Sequence, residues 1–209
     1  MLNEMGVEAF ILIGGRSSRF GADKAFADFE GKTLAQRSVE VVETALPSAN
    51  PRFVVSNESQ FAVELIFRLG RPVVADLKPG FGAWSGLHAA LAYSSSEWTF
   101  VLACDLPFVS AELIRRLADH TGEECDAVIP RQPDSRLQPL CAFYRRDMVL
   151  KKVERQLGET GILPRLTEIT SAVNTRIVEK AEYCDLAGNE SFFLNINSVG
   201  DLPPNIAPN

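Results

Sequence analysis

Val7-Glu8-Ala9-Phe10-Ile11-Leu12-Ile13-Gly14-Gly15-Arg16-Ser17-Ser18-Arg19-Phe20-Gly21-Ala22-Asp23-Lys24 joins a strand to a glycine-rich, cationic loop. From Val7 to Ile13 only Glu8 interrupts an apolar, β-favouring run, the pattern of a parallel strand covered on both faces. Gly14 and Gly15 leave no Cβ in the way, so main-chain N–H groups there can approach a base or phosphate closely. Arg16, Arg19 and Lys24 then concentrate positive charge in a chain whose formal net charge is −6. An anionic ligand such as a triphosphate needs that compensation. Arg19 and Lys24 are the expected phosphate contacts, with Gly21 turning the chain between them and Asp23 orienting Lys24 or capping the next segment. On residue types alone, a surface turn with solvated arginines also accounts for these glycines.

Two common phosphate-binding templates fail on spacing. The dinucleotide fingerprint G-x-G-x-x-G is absent, because Gly14 and Gly15 are adjacent and the next glycine is Gly21. Gly31-Lys32-Thr33 imitates the end of a P-loop, but Phe26 stands where its first glycine is required. Gly31 therefore reads as a turn residue ahead of a helix.

Outward from the loop, strand and helix patterns alternate. Helix periodicity over 33–46 stops at Pro47, and 53–55 reads as a strand. A helix over 60–69 ended by Gly70, a strand over 72–75 and a helix over 83–93 follow. Residues 98–104 form a buried strand, 111–120 a helix that Ser110 can cap, and 125–130 and 137–144 two more strands, the second antiparallel. Beyond them, 145–157 is helical, 158–161 a turn, 162–169 a second helical piece from near Pro164, and 175–178 and 192–196 strands. Repeated β-α units predict an α/β three-layer sandwich with a mostly parallel sheet and right-handed crossovers. Ligands of such sheets collect at the C-terminal ends of strands, which here are Gly14, Ser56, Asp76 and Asp105.

Asp105 closes the run Trp98-Thr99-Phe100-Val101-Leu102-Ala103-Cys104, so its carboxylate should emerge at the ligand edge, and Pro107 then turns the chain away. Mg²⁺ prefers hard oxygen ligands and is commonly held by one or two carboxylates plus substrate phosphates, so one aspartate can suffice. An aspartate that merely caps the turn before Pro107 is the competing reading. Asp76 occupies the same place on a neighbouring strand, followed by a segment containing Gly80, Gly82 and Gly86. His88 and His120, the only histidines, lack partners at metal-ligand spacing and read as structural, as does Trp84.

A chain of 209 residues suits one domain, expected over 1–202, with the proline-rich stretch 203–209 as a disordered tail. The four cysteines are too dispersed for C-x-x-C motifs, and no signal sequence or run of about 20 apolar residues occurs, which makes a reducing cytoplasm the simplest location. The acidic balance counts against nucleic acid as a partner, and the missing apolar run against a membrane.

Residues 12–24 resemble the L-x-G-G-x-S-x-R-x-G-x-D-K signature of the molybdenum cofactor guanylyltransferases, within the nucleotidyltransferases of Rossmann-like, nucleotide-diphospho-sugar transferase fold. The resemblance continues through Asp76 with Gly80, Gly82 and Gly86, through Cys104-Asp105-Leu106-Pro107-Phe108, and through Gln138-Pro139-Leu140-Cys141-Ala142-Phe143-Tyr144 to Phe193-Leu194-Asn195-Ile196-Asn197. It implies transfer of GMP from GTP to molybdopterin or its molybdenum-loaded form, with Mg²⁺ on Asp105 and with Lys24, Arg19 and Asp105 as the catalytic groups. It also implies nucleotide contacts from Leu12, Ile13, Gly14, Gly15, Lys24, Asp76, Gly82, Gly86 and Asp105, with Ser56 or Asn57 where the family usually has asparagine. Asn195 and Asn197, one face of the expected last strand, would help hold the second substrate, although a turn role suits Asn197 as well. Other proteins of cofactor biosynthesis and insertion are the implied partners. Three alternatives stay open: a cytidylyltransferase for the same cofactor, a sugar-phosphate nucleotidyltransferase, and a non-catalytic GTP-binding assembly partner. Gly14-Gly15 resembles the guanylyl form, since the cytidylyl relatives tend to show Ala-Ala-Gly there.

Overall fold

In the computed structural model the described residues are 6–13, 25–56, 66, 68–158 and 163–196. Along the chain run β1 (Val7–Ile13), a short hairpin of β2 (Asp28–Phe29) and β3 (Lys32–Thr33), then α1 (Leu34–Ala45), β4 (Arg52–Val55) and β5 (Val73–Ala75). There follow α2 (Ala83–Tyr93), β6 (Trp98–Ala103), α3 (Ala111–Ala118), β7 (Ala127–Pro130), β8 (Cys141–Arg145), α4 (Arg146–Gly158), α5 (Ile169–Ala172) and β9 (Thr175–Val178). Seven strands form one sheet in the order β5-β4-β1-β6-β8-β7-β9. β1 pairs in parallel with both β4 and β6, and β8 is the strand that runs antiparallel to its neighbours β6 and β7.

The alternation of β1 builds two cores. Ala9 and Ile11 face one cluster with Leu34, Val42 and Ile114, whereas Phe10 and Leu12 face the other with Leu87, Leu91 and Val149. Helices α1 and α3 therefore cover one face of the sheet and α2 and α4 the other, the three-layer arrangement read from the sequence. Burial on both faces is what a continuous apolar strand requires. α1 starts where Thr33 Oγ1 accepts from the Gln36 amide at 3.2 Å and Gln36 Oε1 accepts from the Thr33 amide at 2.8 Å, a reciprocal cap that satisfies two otherwise open donors. Gly31, with φ of +78°, makes the hairpin turn before it, and Ser110 caps α3 by accepting from the Leu113 amide at 3.2 Å.

Four expectations change. Residues 192–196 form no strand: Phe192 and Phe193 are both buried, their rings meeting Tyr183 at 6.2 and 6.0 Å, and neighbouring residues on a strand point to opposite faces. A turn closed by the Leu194 amide on Ser191 O lets both rings into the same core. The piece near Pro164 is shorter than the expected 162–169 helix, a 3₁₀ turn at Leu166–Glu168 running into α5, and Gly158 closes α4 rather than opening a turn. The last strand of the 137–144 pattern begins only at Cys141, after an isolated bridge between Arg131 and Leu137. Of the 60–69 helix, Ile66, Arg68 and Leu69 are described and are helical. The 203–209 tail lies outside the described residues.

At the N-terminal edge of the sheet, Glu8 fastens β1 to the chain leaving α2. Its carboxylate accepts from the amides of Ser95 and Ser96, from the Ser94 and Ser95 hydroxyls, and from Arg52 at 2.7 Å. Burial pushes its pKa up, but the Ser95 amide, the Arg52 charge and the two hydroxyls outweigh that and leave it below the ordinary 4.5. A depressed acid stabilises the fold above its unfolded pKa and stops doing so as pH falls through the folded value. Glu8→Ala is expected to cost about 2 kcal/mol at neutral pH, because the buried Ser94 hydroxyl, the Ser95 and Ser96 amides and the Arg52 guanidinium all lose their acceptor. Denaturant titrations at neutral pH and well below pH 4.5 should show that difference shrinking in acid.

Candidate active site

The register of the parallel strands sets which residues share an edge. Ile13 pairs with Val55, Val55 with Ala75, and Leu12 with Ala103. Four neighbouring strands thus end in line, and the residues that follow them, Ser56, Asp76 and the pair Cys104-Asp105, leave the sheet on one edge beside the end of β1. The strand order also reverses there: β4 and β5 lie to one side of β1, and the chain crosses back to place β6 on the other. In doubly wound sheets that reversal opens the ligand crevice.

Gly14, Gly15, Arg16, Arg19 and Lys24 lie outside the described residues, as do Asn57 and Asn197. The chain leaves the sheet at Ile13 and is next described at Ala25, which is buried in the core under α1. Leu12 is buried, and its carbonyl accepts from the Cys104 amide at 3.1 Å, tying the end of β1 to the residue before Asp105.

Asp105 is half-buried in the turn after β6. Its carbonyl accepts from the Ile196 amide at 3.2 Å, so the distant segment 194–196 is seated directly against the aspartate. Asn195 is exposed beside that bond and Ile196 is buried. The asparagine thus reaches the Asp105 turn although the strand expected to carry it is absent. This contact had no sequence signal beyond the alternation of polar and apolar residues.

Asp76 is half-buried, with its amide on Val55 O at 2.9 Å. Burial pushes its pKa from the ordinary 3.8 up to about 6. A desolvated acid at a strand end is a common mark of a functional position. The backbone after Asp76 takes positive φ at Gly80 (+99°) and Gly82 (+60°), and no described residue comes within 4 Å of where a Cβ would sit on either. Leu77 and Phe81 are exposed on this segment. Ser85, buried in the first turn of α2, donates from Oγ to Lys78 O at 2.5 Å and accepts from the Phe81 amide at 3.1 Å. Sequence reading passed over Ser85; its one signal was a hydroxyl inside the apolar run Ala83-Trp84-Ser85-Gly86-Leu87.

Gly86 has a packing reason of its own. A Cβ there would lie 2.9 Å from Leu12 Cδ1, so the glycine lets α2 approach the end of β1. Trp84 is buried and donates from Nε1 to Pro164 O at 2.9 Å. His88 is buried with Nε2 3.8 Å from Glu154, and burial followed by the charge of Lys78 pushes its pKa down. Among the described residues no group of three or more His, Cys, Asp or Glu side chains could hold a metal.

The raised pKa of Asp76 makes its charge a liability for the fold. The folded state holds the proton more tightly than the unfolded chain, so stability is complete below pH 3.8 and declines as pH rises to about 6. Asp76→Asn should raise the melting temperature at pH 7.5 by about 2–4 °C, about 1 kcal/mol once solvent screening of the part-exposed group is allowed for. Melting curves should show the gap closing below pH 3.8.

Comparison with known proteins agrees with this geometry. The family description "MobA-like NTP transferase domain" matches residues 9–173. A probable molybdenum cofactor guanylyltransferase of a Geobacillus species is 32% identical over 92% of this chain and 94% of its own. One from Methanosarcina acetivorans is 33% identical over 93% and 87%. Among solved structures, molybdopterin-guanine dinucleotide biosynthesis protein A from Archaeoglobus fulgidus superposes with a TM-score of 0.73 at 29% identity, covering 93% of this chain and 94% of that one. With a family model covering residues 9–173 and relatives aligned over nearly its full length, this chain belongs to the MobA-like nucleotidyltransferases.

Proposed function

We propose that the protein transfers GMP from GTP to the terminal phosphate of molybdopterin, or of its molybdenum-loaded form, releasing pyrophosphate and forming the guanine dinucleotide cofactor. The observation that carries this reading is the alignment of Asp76 and Asp105 on one edge, either side of the end of β1, in a chain of this family. Asp76 supplies an acceptor matched to the N–H donors of a guanine edge, with Ser56 or Asn57 beside it. The backbone of Gly14-Gly15 would flank the base, and Arg19 and Lys24 would bind the phosphates. Asp105 would hold Mg²⁺, which supplies charge compensation at the triphosphate when bound. Asn195, the neighbour of Ile196 whose amide bonds to Asp105 O, would contact the acceptor phosphate.

The acceptor phosphate is already an anion, so the protein needs no general base. Its contribution is alignment of the acceptor with the α-phosphorus and neutralisation of charge that builds up during transfer. Both tasks need fixed groups on neighbouring strand ends, which the register provides. A cytoplasmic site, where the reduced pterin and GTP are made available together, fits this chemistry, with other proteins of cofactor biosynthesis and insertion as the partners that supply and receive the pterin.

The test is a pyrophosphate-release assay with purified protein, molybdopterin and GTP, CTP or UTP in turn. Turnover with GTP well above CTP and UTP is expected; preference for CTP would make the enzyme a cytidylyltransferase, and nucleotide binding without pyrophosphate release would make it an assembly partner. Asp105→Ala and Lys24→Ala should each keep a normal melting transition and lose about 100-fold or more in turnover. Wild-type rates in either variant would move the site elsewhere.

A further inference from the structure

We propose that Ser85 is a positioning residue for the nucleotide: its buried hydroxyl holds the segment between Asp76 and α2 in the shape that receives the ligand. The inference rests on the reading of this edge as the nucleotide site and identifies what keeps one wall of it in place.

Among the described residues, the other ties of 77–82 are at its last position, where the Gly82 carbonyl accepts from the Ser85 amide at 3.0 Å and the Gly86 amide at 3.4 Å. Leu77, Pro79, Gly80, Phe81 and Gly82 are exposed, so apolar burial contributes little. Gly80 and Gly82 take positive φ, a conformation with a large entropy cost to order. Against that stand the two hydrogen bonds of one hydroxyl, to Lys78 O at 2.5 Å and from the Phe81 amide at 3.1 Å, which bracket the turn and tie it to α2. α2 itself is well anchored, since Trp84, Leu87, Leu91 and the intervening small residues are buried between the sheet and α4. Ser85 thus transmits the rigidity of the helix to a stretch that begins two residues after Asp76. A segment ordered in advance binds its ligand without losing that freedom at the moment of binding.

Ser94, the residue after the other end of the same helix, provides a matched control. It is also a buried serine, and its hydroxyl donates to Glu8 at 3.1 Å on the opposite edge of the sheet. Ser85→Ala and Ser94→Ala each delete one buried hydroxyl, and only the first touches the 77–82 segment.

For Ser85→Ala the expected result is a KM for GTP raised about 10-fold with kcat within about 2-fold of wild type, the pattern of lost ground-state binding. Hydrogen exchange in the full-length protein without nucleotide should show the Phe81 amide exchanging at least about 10-fold faster. Ser94→Ala should lower the melting temperature and leave both KM and the Phe81 amide unchanged. Unchanged KM and unchanged Phe81 exchange in Ser85→Ala would overturn the inference, as would an equal KM change in Ser94→Ala, which would reduce the effect to general softening. If wild-type protein binds no GTP, the functional reading fails together with this one; if wild type turns over GTP and Ser85→Ala matches it, this inference alone fails.

Discussion

Parallel pairing of β1 with β4 on one side and β6 on the other is the constraint on which the site depends. A strand flanked on both edges and buried on both faces cannot shift its register without moving Phe10 and Leu12 out of one core and Ala9 and Ile11 out of the other. With that register held, Ile13, Val55 and Ala75 stand in one row and Ala103 beside them. The positions of Ser56, Asp76 and Asp105 then follow from strand lengths alone. The bond from Cys104 to Leu12 continues the ladder one step past β6, so the Asp105 turn leaves the sheet at a defined point. Catalysis by alignment needs this kind of immobility more than it needs reactive side chains.

The two edges of the sheet deal with charge in opposite ways. Glu8 at the N-terminal edge is surrounded by amide and hydroxyl donors and by Arg52, and its carboxylate stabilises the fold. Among the described residues, Asp76 at the C-terminal edge shows no comparable set of donors, and burial pushes its pKa up.

Much of this architecture was legible because it rests on local patterns. The both-faces-buried run before Gly14, the boundaries of α2, the cap at Ser110 and the antiparallel sense of β8 all came from periodicity and turn chemistry. The aspartates were legible because each follows an apolar run that ends at a sheet edge. What was not legible depends on contacts between distant segments. Phe192 and Phe193 look like part of a strand until Tyr183 is seen to draw both rings into one core. The seat of Ile196 on Asp105 joins residues 91 positions apart in sequence by a backbone bond that no side-chain pattern announces. Gly86 reads as a ligand glycine within its motif, yet its nearest neighbour is Leu12 Cδ1.

α2 connects these observations. Gly86 lets the helix approach Leu12 of β1, and the buried residues Trp84 to Leu91 enclose it between the sheet and α4. A helix enclosed in this way can adapt only by moving the sheet or its neighbour with it. Among the described residues, the exposed segment that precedes the helix lacks such packing: Gly80 and Gly82 carry no side chain, and Leu77 and Phe81 are not buried. That segment can serve as a wall for a nucleotide only if something restrains it while leaving its backbone open. A hydroxyl reaching back from inside α2 meets both requirements, because it binds the ends of the turn and occupies none of the space in front of it.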